Sequence, residues 1–457
     1  MDVVIHHEIC YMCYNIREFF GKIKGWRNIL VKANTGYKLF ETFVGAGGSH
    51  IGFMRENFVS VYVNDFVDEC LETLEYNNPN LELEGTMLDN TSIIDINPSL
   101  LREKLNLEQG ELDVLFGGVV CKGFSLAGEK SPSDERNYFY HKQLELVEEF
   151  RPKISIIENV IGILSAKVLS KSTPDSVKER VDVLWKELEN YKGKKAKLRK
   201  SDELTQEVLD EGDVLRKSKE QTLKTLEAEG YLVSVMDDIV ERYNELGYDV
   251  EYRILNSAWY GAATKRERVI IVATKKDLNL EFEFPKPTHM DESLMKKDFP
   301  IEYLNLNKPV TVNDALATID YTNEEDIDNV PMSHAAKTVE RFKYIPEGES
   351  IAKHIDKLPE ELKISKFYSR GSTMRLAGDK PSPTLVPGHS NFPVHPKEHR
   401  SITVREAAAI TGFPNNYKFF GTHSKRCEHV GNAVPPLLAQ AIAKECNKTL
   451  DKFYSQK

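Results

Sequence analysis

The sequence predicts an α/β fold: a doubly wound, mostly parallel sheet with a charged helical insertion, followed by a smaller irregular domain. Three observations predict it. Short apolar runs of strand length alternate with helical stretches between residues 37 and 165, which is the pattern of a parallel sheet. Lysine and glutamate, with apolar residues at roughly helical spacing, take over at residues 168–235. From residue 276 proline recurs and the periodicity fades.

The totals set outer bounds. A chain of 457 residues, 40% hydrophobic and 29% charged, has material for two domains. No apolar run reaches the roughly 18 residues a membrane span requires. The start, Met1-Asp2-Val3-Val4-Ile5-His6-His7-Glu8, lacks the basic and apolar parts of a secretory signal. A cytoplasmic protein without a membrane partner is expected. Six cysteines in this length do not make a disulfide framework and suit a reducing compartment. The net charge of −10 argues against wholesale coating of nucleic acid, yet leaves room for a local basic cleft.

In chain order, residues 1–36 form a leader. His6, His7, Cys10 and Cys13 offer one Cys-x-x-Cys pair with no second pair at finger spacing, so no metal site is expected. Residues 37–275 form the sheet domain. Strands are expected at 37–43, 61–65, 112–116, 154–157, 250–255 and 269–273, with a glycine-rich bend at 43–52 turning into a helix. The insertion at 168–235 reads as a helical hairpin or short coiled coil, more simply a solvated charged arm than a docking device. The smaller domain covers 276–397. Residues 398–457 return to the sheet domain with helices at 403–414 and 434–447, the second opened by Pro435-Pro436.

The chemistry centres on Gly117-Gly118-Val119-Val120-Cys121-Lys122-Gly123-Phe124-Ser125, which presents a thiol at a strand exit. A free thiol has a pKa of about 8.5 and is a weak nucleophile until something lowers it. Glu158 ends the 154–157 strand, so the two would meet at one edge of a parallel sheet. The bend from Phe43 to Gly52 lets backbone approach a ligand, and Asp65, at the next strand's end, can hold ribose hydroxyls. Each residue has a plainer reading alone: a buried thiol, a capping carboxylate, a tight turn, or a surface ion-pair cluster at Arg266 and Arg268.

Together and in this order they resemble the DNA cytosine-5 methyltransferases. Phe43-Val44-Gly45-Ala46-Gly47-Gly48, Asn64-Asp65 and Asp89 resemble the adenosylmethionine-binding segments. Gly117 to Ser125 resembles the nucleophile loop, and Asp134-Glu135-Arg136-Asn137 the segment after it. Glu158-Asn159-Val160 and Arg266-Glu267-Arg268 match two further signatures. Arg375-Leu376, Pro381-Ser382-Pro383-Thr384-Leu385, Arg405-Glu406-Ala407-Ala408, Gly412-Phe413-Pro414 and Gly431-Asn432-Ala433-Val434-Pro435-Pro436 resemble the late motifs.

The resemblance implies a Rossmann-like, adenosylmethionine-dependent methyltransferase fold, with 276–397 as a target-recognition domain. It implies S-adenosyl-L-methionine held by Phe43, Gly45, Gly47, Asp65, Asp89 and Asn432. Cys121 would attack carbon 6 of a flipped-out cytosine, Glu158 would steady ring nitrogen 3, Arg268 would hold the base carbonyl and Arg266 a nearby phosphate. Lys122, Ser125, Arg136, Arg370 and Thr384 would touch DNA. Residues 366–375, basic, aromatic and glycine-hinged, are the expected readers of base edges.

Val120, Lys122, Ala263 and Thr264 depart from the family's usual proline, glutamine and Pro-Gln. They put rate and loop geometry in question more than reaction type. Expected partners are double-stranded DNA and a cognate restriction endonuclease acting on the same site, with the chain a monomer. The alternatives are a tRNA cytosine-5 methyltransferase and a catalytically silent DNA-binding subunit.

Overall fold

A computed structural model describes residues 36–119, 132, 139–201, 203–294, 305–364, 371–388 and 391–456. In chain order, β1 (Lys38–Thr42), α1 (Gly48–Met54), β2 (Val59–Asn64), α2 (Asp68–Asn77), β3 (Met87–Asp89), α3 (Pro98–Leu105), β4 (Val114–Gly117), α4 (Phe139–Phe150) and β5 (Ile154–Asn159) build the expected alternation. The insertion follows as β6 (Lys167–Leu169), α5 (Asp175–Lys200), α6 (Gln206–Ala228) and β7 (Leu232–Ser234). Then come α7 (Val235–Glu245), β8 (Tyr248–Asn256), β9 (Thr264–Lys265) and β10 (Glu267–Lys275). The remainder holds α8 (Val312–Leu316), α9 (Ala336–Phe342), β11 (Ser382–Pro383), α10 (Val404–Thr411), α11 (His423–Asn432) and α12 (Pro436–Ser455).

The main sheet has seven strands in the order β3-β2-β1-β4-β5-β10-β8. Neighbours from β3 to β5 run parallel. β10 runs antiparallel to both β5 and β8. That reversal carries the beginning of β10 to the carboxyl edge of β5, where Ile270 sits opposite Glu158. The central strands are apolar on both faces, as buried strands must be: every residue of β4 and β5 is buried.

One apolar cluster packs Phe40, Leu115, Ile157 and Ile271 under α4 and α7. A second packs Leu39, Phe116, Ile156 and Ile270 against Leu438, Ile442 and Cys446 of α12. The C-terminal helix therefore covers one face of a sheet begun some 400 residues earlier.

The insertion is a two-helix arm rooted by the antiparallel β6–β7 ladder. Leu169, Val181, Leu184, Trp185, Leu188 and Leu226 form its own small core near the root. Between 276 and 402 the chain forms short helices and isolated bridges, with an apolar cluster of Phe342, Ile345, Ile351, Leu358, Leu362 and Val394. Val312, Leu316, Leu376, Leu385 and Phe392 of this stretch share another cluster with Ala46, Ile51 and Ala263 of the sheet domain. No helix among the described residues is long and apolar enough to cross a membrane.

Candidate active site at the carboxyl edge of the sheet

The carboxyl ends of β1, β2, β3, β4 and β5 lie side by side, and the loops leaving them form the site. At β1 the chain turns sharply. Phe43 has φ 53°, a value a bulky residue adopts only under outside constraint, and stacks on Phe139 at 6.2 Å. The Val44 N–H donates to the Asn64 carbonyl at 3.1 Å. The Gly45 N–H donates to Asp65 Oδ2 at 2.8 Å, and the Val67 N–H donates to Oδ1 at 2.9 Å. Asp65 thus stitches the glycine loop to the exit of β2.

Burial pushes the Asp65 carboxyl above the usual carboxylate range, with the Val67 and Gly45 N–H donors pulling partly against it. With the Cys70 side chain as a third partner, the carboxylate still has acceptor capacity left for a ligand hydroxyl.

The two glycines are required for different reasons. Gly45 has φ +56°, and a Cβ there would meet nothing within 4 Å, so it borders open space. Gly47 has φ +85°, and a Cβ there would lie 2.6 Å from both the Tyr417 hydroxyl and Leu74. Tyr417 itself donates to the Ala46 carbonyl at 2.7 Å. Gly47 is glycine because late elements of the chain close on it.

Asp89 ends β3 with its side chain engaged. Tyr62 Oη donates to Oδ2 at 2.8 Å and the Thr91 N–H donates to Oδ1 at 2.9 Å. Burial works to raise its pKa, but the donors from Thr91 and Tyr62 outweigh it and hold the carboxyl below the usual range. Directly after Asp65 comes Phe66, 72% exposed. Sequence reasoning missed it; an aromatic directly after a strand-ending acid was the available signal.

Glu158 and Arg268 meet. Arg268 Nε lies 2.7 Å from Glu158 Oε1, and both residues are buried. The antiparallel β10 makes this possible by starting where β5 ends. Beside the pair, a Cβ on Gly118 would come no nearer than 3.8 Å to Glu158 Oε2, so the missing side chain leaves room next to the carboxylate. Asn159 Nδ2 donates to the Val119 carbonyl at 3.1 Å, pinning the approach to Cys121 against the exit of β5. Cys121, Lys122, Ser125 and Arg136 lie outside the described residues, as do Val120 and the Cys10 and Cys13 pair.

Arg266 is placed differently from the expected phosphate contact. Its guanidinium is buried and donates to the carbonyls of Gly431 at 2.7 Å and Asn432 at 3.0 Å. It ties the last motif to the sheet, while Asn432 itself is exposed. Thr384 is exposed and its hydroxyl donates to the Lys265 carbonyl at 2.9 Å, beside the β9–β11 ladder.

Arg370 lies outside the described residues. Arg375, at the end of the expected base-reading segment, is buried instead. It donates to the carbonyls of Phe342, Ile345, His395 and Glu398 and contacts His399 Nδ1. No donor geometry of that kind is available to a base edge, so Arg375 is corrected from reader to scaffold.

The chain matches the C-5 cytosine-specific DNA methylases over residues 37–182 and 217–448. It is 26% identical over 438 residues to the Type II methyltransferase M.DdeI of Desulfomicrobium norvegicum, covering 89% of this chain and 87% of that protein. It is also 26% identical over 440 residues to the Type II methyltransferase M.Eco47II of Escherichia coli, covering 94% and 83%. In fold it is similar to a prophage-encoded E. coli protein described as a DNA modification methyltransferase, with TM-score 0.57 and 20% identity over 91% of this chain and all of that one.

Proposed function

This chain belongs to the C-5 cytosine-specific DNA methylase family, whose methyl donor is S-adenosyl-L-methionine, and from that premise we propose how its residues divide the reaction. The observation that carries the proposal is the Glu158–Arg268 pair, buried beside the room left by Gly118 and one strand from the Cys121 loop.

The residues at the edge fit the methyl donor. Gly45 borders open space, Asp65 keeps lone pairs for ribose hydroxyls, and Phe66 offers an exposed ring on which adenine can stack. Asp89 and Asn432 complete the rim, and Phe43 shapes its floor. Gly47 and Arg266 act as positioning residues, one by admitting Tyr417 and the other by holding the carbonyls of Gly431 and Asn432. When bound, the donor supplies an electrophilic methyl group on a sulfonium.

Carbon 5 of cytosine is too poor a nucleophile to take that methyl unaided. The target nucleotide leaves the duplex stack at a cost of a few kcal/mol. The Cys121 thiolate adds to carbon 6, forming a C–S bond and moving electron density toward ring nitrogen 3. Glu158, acting as an acid, donates a hydrogen bond to that nitrogen, and Arg268 holds both Glu158 and the base carbonyl. After carbon 5 is methylated, a water-borne base removes its proton, the C–S bond breaks and Cys121 departs as thiolate. Lys122, Ser125, Arg136, Arg370 and Thr384 are assigned to the DNA. The protein's role is protection of host DNA from an endonuclease cutting the same site, a reading supported by relatives that carry the name Type II methyltransferase.

Incubation of the purified protein with labelled S-adenosyl-L-methionine and either duplex DNA or tRNA tests the substrate. Label is expected in DNA, at one short sequence located by bisulfite sequencing. Label in tRNA alone would replace this reading with the RNA one.

A further inference from the structure

The arm of α5 and α6 has no part in the reaction above, and the family match breaks over residues 183–216, its outer portion. Its root lies at the reactive edge: β5 ends at Asn159, and β6 starts at Lys167. The Leu169 N–H donates to the Pro132 carbonyl at 3.2 Å, within the segment that follows the nucleophile loop. At 26 residues, α5 is about 39 Å long, the span of roughly 11 base pairs of B-DNA.

Charge along α5 is uneven. Residues 191–200 carry Lys192, Lys194, Lys195, Lys197, Arg199 and Lys200 and no carboxylate, in a chain of net charge −10. The acidic start of α6 answers part of this, since Lys194 pairs with Glu211 at 2.6 Å. Lys195 lies over the Tyr191 ring. Lys192 and Lys197 are exposed and make no ion pair among the described residues.

Between them is Gly193, an interior helical glycine that costs about 1 kcal/mol relative to alanine. No close packing requires it, because a Cβ there would meet nothing within 4 Å. It floors a shallow groove lined by Glu189, Asn190, Lys194, Lys197 and Leu198. A notch in bare helix backbone between the exposed Lys192 and Lys197 suits a phosphodiester strand.

We propose that the outer half of α5 binds the sugar-phosphate backbone of duplex DNA flanking the methylated site, about one helical turn from the extruded base. The partner is sequence-independent DNA, and the proposal rests on DNA being the substrate. Through the Leu169–Pro132 bond, an arm held on DNA would also bear on the nucleophile-loop segment.

Once the target site is known, fluorescence anisotropy with 14-bp and 40-bp duplexes carrying it centrally tests the arm. The wild-type protein is expected to bind the longer duplex about tenfold more tightly at moderate salt. The Lys192→Gln/Lys197→Gln/Arg199→Gln variant, built from good helix formers, should lose that gain. Its slope of log affinity against log salt on the 40-bp duplex should flatten by about 2.7, or 0.9 per cation. Affinity for the 14-bp duplex and turnover on it should stay unchanged.

Gly193→Glu, whose side chain enters open space, should behave likewise and guards against a misfolded triple variant. A triple variant that keeps the length-dependent gain overturns the proposal. So does a variant altered only in sedimentation, which would make the arm a self-association device. Failure of the wild-type protein to bind or methylate either duplex would instead overturn the substrate reading itself.

Discussion

The sheet domain and the stretch from 305 to 402 hold themselves together by opposite means. The first rests on seven hydrogen-bonded strands and two large apolar clusters; of its buried site arginines, Arg268 faces a carboxylate and Arg266 bonds two main-chain carbonyls. Among the described residues the second has isolated bridges and the two-residue β11, and its buried Arg375 is solvated by four main-chain carbonyls and a histidine nitrogen. Arg405 joins this stretch to the C-terminal helices through Asp326 and Asp328, and Arg426 meets the same Asp328. Ladders fix a shape that does not depend on any one side chain. A fork of hydrogen bonds to carbonyls concentrates the same task in one residue.

The largest expected effect lies at the site. Glu158→Gln should lower methyl transfer by about 10²–10⁴-fold while the affinity for S-adenosyl-L-methionine, read by calorimetry, moves little. Loss of both together would mean that the edge does not divide into a donor half and a base half.

Arg375→Lys comes next. It keeps the charge but not the planar fork, and should cost about 3 kcal/mol or more by leaving several buried carbonyls without donors. Urea titration should detect a loss of specific DNA binding at concentrations where the methyl donor still binds. A single transition shared by both activities would erase the contrast between the two regions.

A smaller effect is expected at Asp238 of α7, where the sheet domain does use a side-chain hub. Burial opposes ionisation there, but donors from His141, Arg242 and Tyr140 win and hold the carboxyl well below the usual range. A depressed carboxyl contributes stability that is present above its unfolded pKa of about 4 and lost as pH falls toward its folded value. Asp238→Asn should therefore destabilise by about 1–3 kcal/mol at pH 7, with the gap to the wild-type protein closing on acidification below about pH 4. Thermal melts across pH read it directly, and a gap that widens in acid would reverse the assignment.

The smallest contrast is between two glycines. Gly45→Ala should cost about 1 kcal/mol for its left-handed backbone alone, whereas Gly47→Ala adds a collision with Tyr417 and Leu74. Equal melting temperatures for the two would contradict the packing role of Gly47.

Much of the sheet domain was legible because burial on both faces writes itself as apolar runs. Residues 112–116 and 154–157 are neighbouring strands, and the insertion is the two-helix arm its spacing predicts. The pairing of Glu158 with Arg268 was not foreseen: periodicity carries no strand direction, and the antiparallel β10 that brings the two together was not readable. The fates of Arg266 and Arg375 were hidden for a related reason. An arginine that bonds distant carbonyls looks, in sequence, the same as one that bonds phosphate or a base. Phe66 escaped notice although its place directly after the strand-ending Asp65 was a signal, because an exposed aromatic and a buried one look alike in sequence.

The most direct test of the central claim is covalent trapping. The protein, S-adenosyl-L-methionine and a target duplex containing 5-fluorocytosine should give a denaturant-stable adduct, because fluorine blocks the final elimination. Mass spectrometry should place it on Cys121, and Cys121→Ser should abolish it while DNA binding persists. An adduct on another residue, or methyl transfer undiminished in the Cys121→Ser protein, would contradict the account.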